Sequence, residues 1–199
     1  MQLLLVRHGQ PDTRQEGRFV NPPLTERGHW QAARAADRLA REEIAAIVSS
    51  PLRRAYDTAR PLAERLGLEV EVVDHLAEVD GGGEGTRYIS LEALRREGGP
   101  RWQNFLDDPV GFLGGDTETF CANVLGAFGR ILQRGEAGKV AVFTHGLPIN
   151  VILAHILGIE RLTRFVPHYC SLTRLIGADM QRLTILSVND TGHFGPDEI

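Results

Sequence analysis

The sequence is poor in the residues that build covalent or metal-held scaffolds. Two cysteines in 199 residues, Cys121 and Cys170, cannot make a disulfide framework, and no C-x-x-C pair occurs. A reducing, cytoplasmic setting is therefore expected. No apolar run approaches the ~18 residues of a membrane span. Met1 to Arg7 lacks the basic n-region and small-residue cleavage site of a signal peptide. Positive charge is also short: 22 Lys+Arg face 26 Asp+Glu, a net charge of -4. That balance excludes a nucleic-acid or anionic-membrane binder relying on overall charge. Lysine is nearly absent, with Lys139 the only one, so arginine supplies the remaining basic residues. Arginine is the better residue for bidentate phosphate contacts. There is no Walker A motif and no strand-linked G-x-G-x-x-G, which argues against a kinase or dehydrogenase. Seven histidines are present, but no H-E-x-x-H or other clustered ligand spacing, so neither metal nor cofactor is expected.

What is present is an alternation of apolar runs and amphipathic stretches. Leu3 to Val6, Ile44 to Val48 and Val140 to Phe143 read as buried strands, with Val70, Val72 and Val73 as a further one. Two late segments, Ser171 to Ile176 and Leu183 to Val188, read as additional strands. Thr25 is a candidate cap for a helix with Trp30, Ala33, Ala36 and Ala40 on its apolar face. A second helix is expected from Arg53 to Leu66, stopped by Gly67 and kinked at Pro61. Phe120, Val124, Phe128 and Ile131 mark a third, ending near Gly135, and Pro148 begins a fourth. Buried strands alternating with helices predict an α/β fold with a mainly parallel central sheet covered on both faces. The length fits one domain over 1–199, with a glycine-flanked lid or insertion at about 80–115 that is too short and polar for its own core.

Two segments echo each other. Leu4-Leu5-Val6-Arg7-His8-Gly9 and Ala141-Val142-Phe143-Thr144-His145-Gly146 each put a histidine and a glycine at the end of a buried strand. Ligands of open α/β sheets bind at the carboxyl ends of strands, and glycine after each histidine lets backbone approach a ligand closely. Ser49 to Ala55 also follows a buried strand and carries Arg53 and Arg54 near a helix start. Glu78 lies between Ala77 and Val79, just before a glycine run. Two histidines, two arginines and an acid suit phosphoryl transfer. A neutral imidazole is a competent nucleophile at neutral pH. Guanidinium groups neutralise phosphoryl oxygens, and a carboxylic acid can protonate a leaving alkoxide and later deprotonate water.

Arg7-His8-Gly9, the Ser-Pro-Leu-x-Arg-Ala-x-x-Thr-Ala stretch from Ser50 to Ala59, Leu76-x-Glu78 and Thr144-His145-Gly146 together resemble the histidine phosphatase superfamily. Phosphoglycerate mutases are its eponymous branch. The resemblance implies a three-layer α/β/α sandwich and a phosphohistidine at His8. It makes Glu78 the proton donor and acceptor, and places Arg7, Arg54 and His145 around the phosphate. Many members carry asparagine where Arg14 stands here; Arg14 and Arg18 are candidates for a substrate carboxylate or second phosphate. After Glu78 the usual aromatic is missing, and Asp80 or Glu84 are alternative acids.

The expected activity is metal-independent hydrolysis of a small phosphomonoester, without nucleic-acid or membrane partners and with the oligomeric state left open. A mutase would need a basic lid, yet 80–115 holds four arginines against six acids. A non-catalytic phosphoryl-binding regulator is the alternative of a different class.

Overall fold

The computed structural model describes residues 1–13, 21–79, 89–135, 138–195 and 198. Six strands form one sheet: β1 (Gln2–Arg7), β2 (Ile44–Ser49), β3 (Val70–Val72), β4 (Lys139–Thr144), β5 (Leu172–Ile176) and β6 (Thr184–Asp190). Their spatial order is β3-β2-β4-β1-β5-β6. β3, β2, β4 and β1 run parallel, while β5 is antiparallel to both β1 and β6. The helices are α1 (Glu26–Leu39), α2 (Arg53–Leu66), α3 (Leu91–Glu97), α4 (Gly99–Asp107), α5 (Pro109–Phe112), α6 (Thr117–Gln133) and α7 (Gly146–Leu157).

Side-chain alternation along the central strands creates the three layers. Leu4, Val6, Ile47, Ala141 and Phe143 face Ala36 and Leu39 of α1 and Ala59 and Leu62 of α2. Leu3, Leu5, Val48, Val140 and Val142 point the other way, onto Val124, Phe128 and Ile131 of α6 and Ile149, Ile152 and Leu153 of α7. A strand with both faces covered must be apolar throughout, which is why these runs show no polar alternation. The expected α/β/α sandwich is the one observed.

The buried face of α1 differs from expectation. Gly28, Gln31, Ala32, Ala35, Ala36 and Leu39 are buried, whereas Trp30 is 38% exposed and stacks on Phe194 at 5.6 Å. Alanines occupy several faces of this helix, so their spacing alone could not choose the register; Leu39 and the close approach of Gly28 do. Thr25 caps α1 by accepting from Gly28 N at 2.9 Å. α2 runs unbroken through Pro61 and ends at Gly67, whose φ of +64° is the left-handed turn that favours glycine. α7 starts at Gly146, two residues before Pro148. Within 80–115, residues 89–115 fold into α3, α4 and α5, while 80–88 lie outside the described residues. Among the described residues no helix is long and apolar enough to cross a membrane.

At the amino ends of the sheet, Glu42 gathers three cations: Lys139 Nζ, Arg38 Nη1 and Arg174 Nη2, the last two at 2.8 and 2.9 Å. Partial burial raises its pKa, but these partners outweigh burial and bring it down to about 2. The polar cluster leaves the opposite, carboxyl end of the sheet for chemistry.

Two glycines set how α1 meets that end. A Cβ on Gly9 would stand 2.6 Å from Gly28 O, and one on Gly28 would stand 2.3 Å from Gln10 O. Gly28→Ala is therefore expected to cost about 1–3 kcal/mol, since backbone must shift to admit it. Gly126→Ala in α6 meets only the flexible tip of Arg130 at 3.4 Å and should gain about 0.5–1 kcal/mol from helix propensity. Denaturant midpoints should move in opposite directions for the two variants. A Gly28→Ala midpoint equal to wild type would contradict this packing.

Candidate active site

β1 and β4 are neighbours in parallel register, with Arg7 beside Thr144. The connection from β1 leads to β2 on one side, and the connection from β4 leads to β5 on the other. Their shared carboxyl end is thus the topological switch point, where such sheets open a crevice. His8 N donates to Thr144 O at 2.9 Å, which brings the two strand-end histidines together with ring centroids 5.0 Å apart.

His8 is 3% exposed and its orientation is fixed by two contacts. Nδ1 lies 2.7 Å from Gly9 O, an atom that can only accept, so the proton sits on Nδ1. Arg54 Nε donates toward His8 Nε2 at 3.4 Å, which places the lone pair on Nε2. Burial, then the charges of Arg54 and Arg7, hold His8 well below the usual imidazole pKa; the Gly9 carbonyl opposes them without prevailing. The result is a neutral, oriented imidazole with Nε2 available.

Arg54 is 1% exposed and comes from the first turn of α2. Thr58, one turn later, donates to Arg54 O at 2.6 Å and accepts from Gly9 N at 2.9 Å, tying α2 to the loop behind His8. Arg7 donates to Pro167 O at 2.6 Å and pairs with Glu92 of α3 at 3.2 Å, and the Tyr169 ring lies 4.2 Å from its guanidinium carbon. Burial pushes the Glu92 carboxyl up, but Arg7 and a hydrogen bond from Tyr169 outweigh it and lower its pKa.

Glu78 follows a short 3-10 turn, Asp74–Leu76, whose last carbonyl accepts from Thr144 Oγ1 at 2.7 Å. Glu78 Oε2 accepts from Leu147 N, in the first turn of α7, at 3.2 Å. The end of β4 and the start of α7 therefore place the carboxylate together. Arg7, His8, Arg54 and Glu78 line one small cavity together with Ile89, Leu91, Leu113 and Leu147.

His145 stands at the N-cap position of α7 without a side-chain cap bond and is fully buried beside that cavity rather than on its lining. Its Nε2 is 2.7 Å from Ser50 Oγ, while Nδ1 has no hydrogen-bond partner among the described residues. Burial, then Arg54, His8 and Arg7, push its pKa well below the usual value. Among the described residues no group of three or more His, Cys, Asp or Glu is placed to hold a metal ion.

The structure brings Arg7, His8, Arg54, Glu78 and His145 together; Arg14, Arg18, Asp80 and Glu84 lie outside the described residues. The two glycines after the histidines differ in their surroundings. Gly9 is required by its contact with Gly28, whereas a Cβ on Gly146 would meet nothing within 4 Å. Glu92 and Tyr169 were missed: no spacing connects Arg7 to a carboxylate 85 residues away. Ser50 and Thr58 were in view within a motif but carried no assigned role.

A buried histidine flanked by two arginines and a carboxylate, at the switch point of a parallel sheet, defines a site for handling phosphoryl groups. The chain belongs to the histidine phosphatase superfamily (branch 1), whose family profile matches residues 3–191. It is 31% identical over 203 residues to phosphoserine phosphatase 1 of Hydrogenobacter thermophilus, covering 98% of this chain and 95% of that one. It is 28% identical to a protein of Enterobacter sp. (strain 638) named probable phosphoglycerate mutase, covering 88% and 84%. The fold superposes with a TM-score of 0.77 on a mycobacterial glucosyl-3-phosphoglycerate phosphatase in complex with VO3, at 27% identity, covering 96% and 99%.

Two buried neutral histidines make stability depend on pH. Their folded pKa values lie below the unfolded value of about 6.5. The unfolded chain therefore binds more protons just below pH 6.5, and stability present above that pH is lost as pH falls toward the folded values. Denaturant midpoints should drop between pH 8 and pH 5, and drop less in His145→Gln, which removes one titrating group. A flat wild-type midpoint across that range would contradict the depressed pKa values.

Proposed function

We propose that the chain hydrolyses small phosphomonoesters through a phosphohistidine at His8, with Glu78 as acid and base. The observation that carries this reading is the His8 contact set: Nδ1 committed to Gly9 O, Nε2 beside Arg54, in a cavity that also holds Arg7 and Glu78. In the first half-reaction His8 Nε2 forms a bond to phosphorus while the ester oxygen leaves in line. Glu78 gives its proton to that oxygen, releasing the alcohol. In the second, Glu78 takes a proton from water, whose oxygen bonds to phosphorus as the P–N bond breaks and the electron pair returns to Nε2. Arg7 and Arg54 carry fixed positive charge for the phosphoryl oxygens, the work a metal ion does in other phosphoryl-transfer enzymes. His145 is assigned to the phosphate through its place beside His8 and its unpartnered Nδ1. Arg14 remains a candidate for a second acidic group on the substrate.

Hydrolysis is favoured over mutase chemistry by the charge of the segment between Glu78 and α6. Among its described residues, Arg101 pairs with Glu97, and Asp107 pairs with Arg161. A mutase must hold a second acidic group beside the transferred phosphoryl, and this segment is acidic overall. A regulator that binds without turnover is disfavoured because nucleophile, cations and acid share one cavity. The relatives named for phosphoserine and glucosyl-3-phosphoglycerate support a small phosphorylated metabolite as substrate. The segment at about 80–115 is read as a lid on a single domain, and two free cysteines fit a cytoplasmic location.

Purified protein should turn over p-nitrophenyl phosphate without added metal and in the presence of EDTA, and vanadate should inhibit it. Glu78→Gln should lose ~10²–10⁴ in rate on alkyl phosphates. The loss in the phosphorylation step should be smaller with p-nitrophenyl phosphate, whose leaving group needs little help. The phosphoenzyme of that variant should accumulate as a burst. Activity lost in EDTA and restored by a divalent ion would overturn the mechanism. A Glu78→Gln enzyme equal to wild type would move the acid to Asp80 or Glu84.

A further inference from the structure

We propose that an apolar cavity next to the phosphate pocket holds the organic part of the substrate, so that aryl and longer alkyl phosphates are preferred over phosphorylated polyols and amino acids. This inference rests on the phosphatase reading above and concerns which ester reaches His8. Its enclosed space is about 80 Å³, against about 20 Å³ for the phosphate cavity. It shares Arg7, Leu91 and Leu147 with the phosphate cavity, so one ligand can occupy both. Its walls are largely Trp102, Phe105, Leu106, Leu147, Leu162 and Phe165.

The walls are built rather than incidental. Buried Asn150 donates from Nδ2 to Gly146 O at 2.9 Å and to Phe165 O at 3.0 Å, and its Oδ1 accepts from Phe165 N at 3.1 Å. These bonds hold the segment around Phe165 against α7. Leu106 O accepts from Thr163 Oγ1 at 2.9 Å and from Arg161 Nε at 3.2 Å, which fixes the same segment to α4. Trp102 stacks on Phe105 with centroids 5.5 Å apart. Gly146 borders the cavity and contributes no side chain to obstruct it.

The polar atoms of the interior are already committed. The Asn150 amide is used by three backbone groups, and the Thr163 hydroxyl by Leu106 O and Arg161 Nε. Of the charged lining residues, Glu92 and Arg95 are exposed, while Arg7 is buried where the two cavities meet and is paired with Glu92. Hydroxyl or ammonium groups carried into this interior would give up water without a replacement partner, whereas methylenes and rings gain by leaving water.

The test is a series of n-alkyl phosphates from ethyl to octyl, measured as kcat/KM beside phosphoserine and 3-phosphoglycerate. Each added methylene should raise kcat/KM by up to ~4-fold until the cavity is filled, following the free energy of burying one methylene. Hexyl phosphate should exceed both polar substrates by at least tenfold. Val166 lines the cavity and is 56% exposed, so Val166→Glu can place a carboxylate there without disturbing the core. It should flatten the chain-length series, and Val166→Leu should keep the slope. A flat wild-type series, a preference for phosphoserine or 3-phosphoglycerate, or a slope untouched by Val166→Glu overturns the inference. In those cases His8-dependent turnover of ethyl or p-nitrophenyl phosphate leaves the phosphatase reading standing. No turnover of any ester would remove that reading and this inference with it.

Discussion

A buried imidazole between two guanidinium groups is the constraint on which the site depends. Protonated, His8 would be a third positive charge in a space nearly closed to water; neutral, it is tolerated. The same arginines that suit a phosphoryl group therefore also keep the imidazole proposed as nucleophile neutral. Neutrality alone does not say which nitrogen attacks. Gly9 O decides that, because a carbonyl facing Nδ1 requires the proton there and leaves Nε2 with its lone pair. Much of the nearby packing serves this one orientation. Gly9 and Gly28 let α1 approach, Thr58 holds the loop to α2, and the β1–β4 register sets His145 alongside.

The carboxylates around this positive centre do different work. Glu92 sits on Arg7, where its charge offsets part of the cation cluster. Glu78 is held by the amide of Leu147 at the start of α7, and so moves with the strand that delivers His145. One carboxylate balances charge; the other is the one proposed above to transfer protons. Both line cavities that meet at Arg7, with the phosphate side polar and the neighbouring side apolar.

The layers of the fold were legible because central strands must be apolar on both faces, and Leu3 to Val6 and Val140 to Phe143 show that plainly. The paired strand ends were legible because two such runs each close on a histidine and a glycine, a coincidence that a structural use explains for one end more easily than for both. Less could be read from α1, where alanines on several faces made the register ambiguous and Trp30 misleading. That Gly9 is also needed for the close approach of Gly28 could not be read, since sequence shows a missing side chain but not what would collide with one. The Arg7–Glu92 pair and Tyr169 leave no local pattern, because contacts across 85 residues and more arise only from tertiary packing.

The central claim is that the fold selects His8 Nε2 as the nucleophilic atom. Rapid quenching of the reaction, followed by NMR of the trapped, isotopically labelled phosphoenzyme, locates the P–N bond directly. The account predicts an acid-labile, alkali-stable phosphoramidate on Nε2 of His8. A phosphoryl group on Nδ1 of His8, on His145, or on a serine or aspartate oxygen would contradict it.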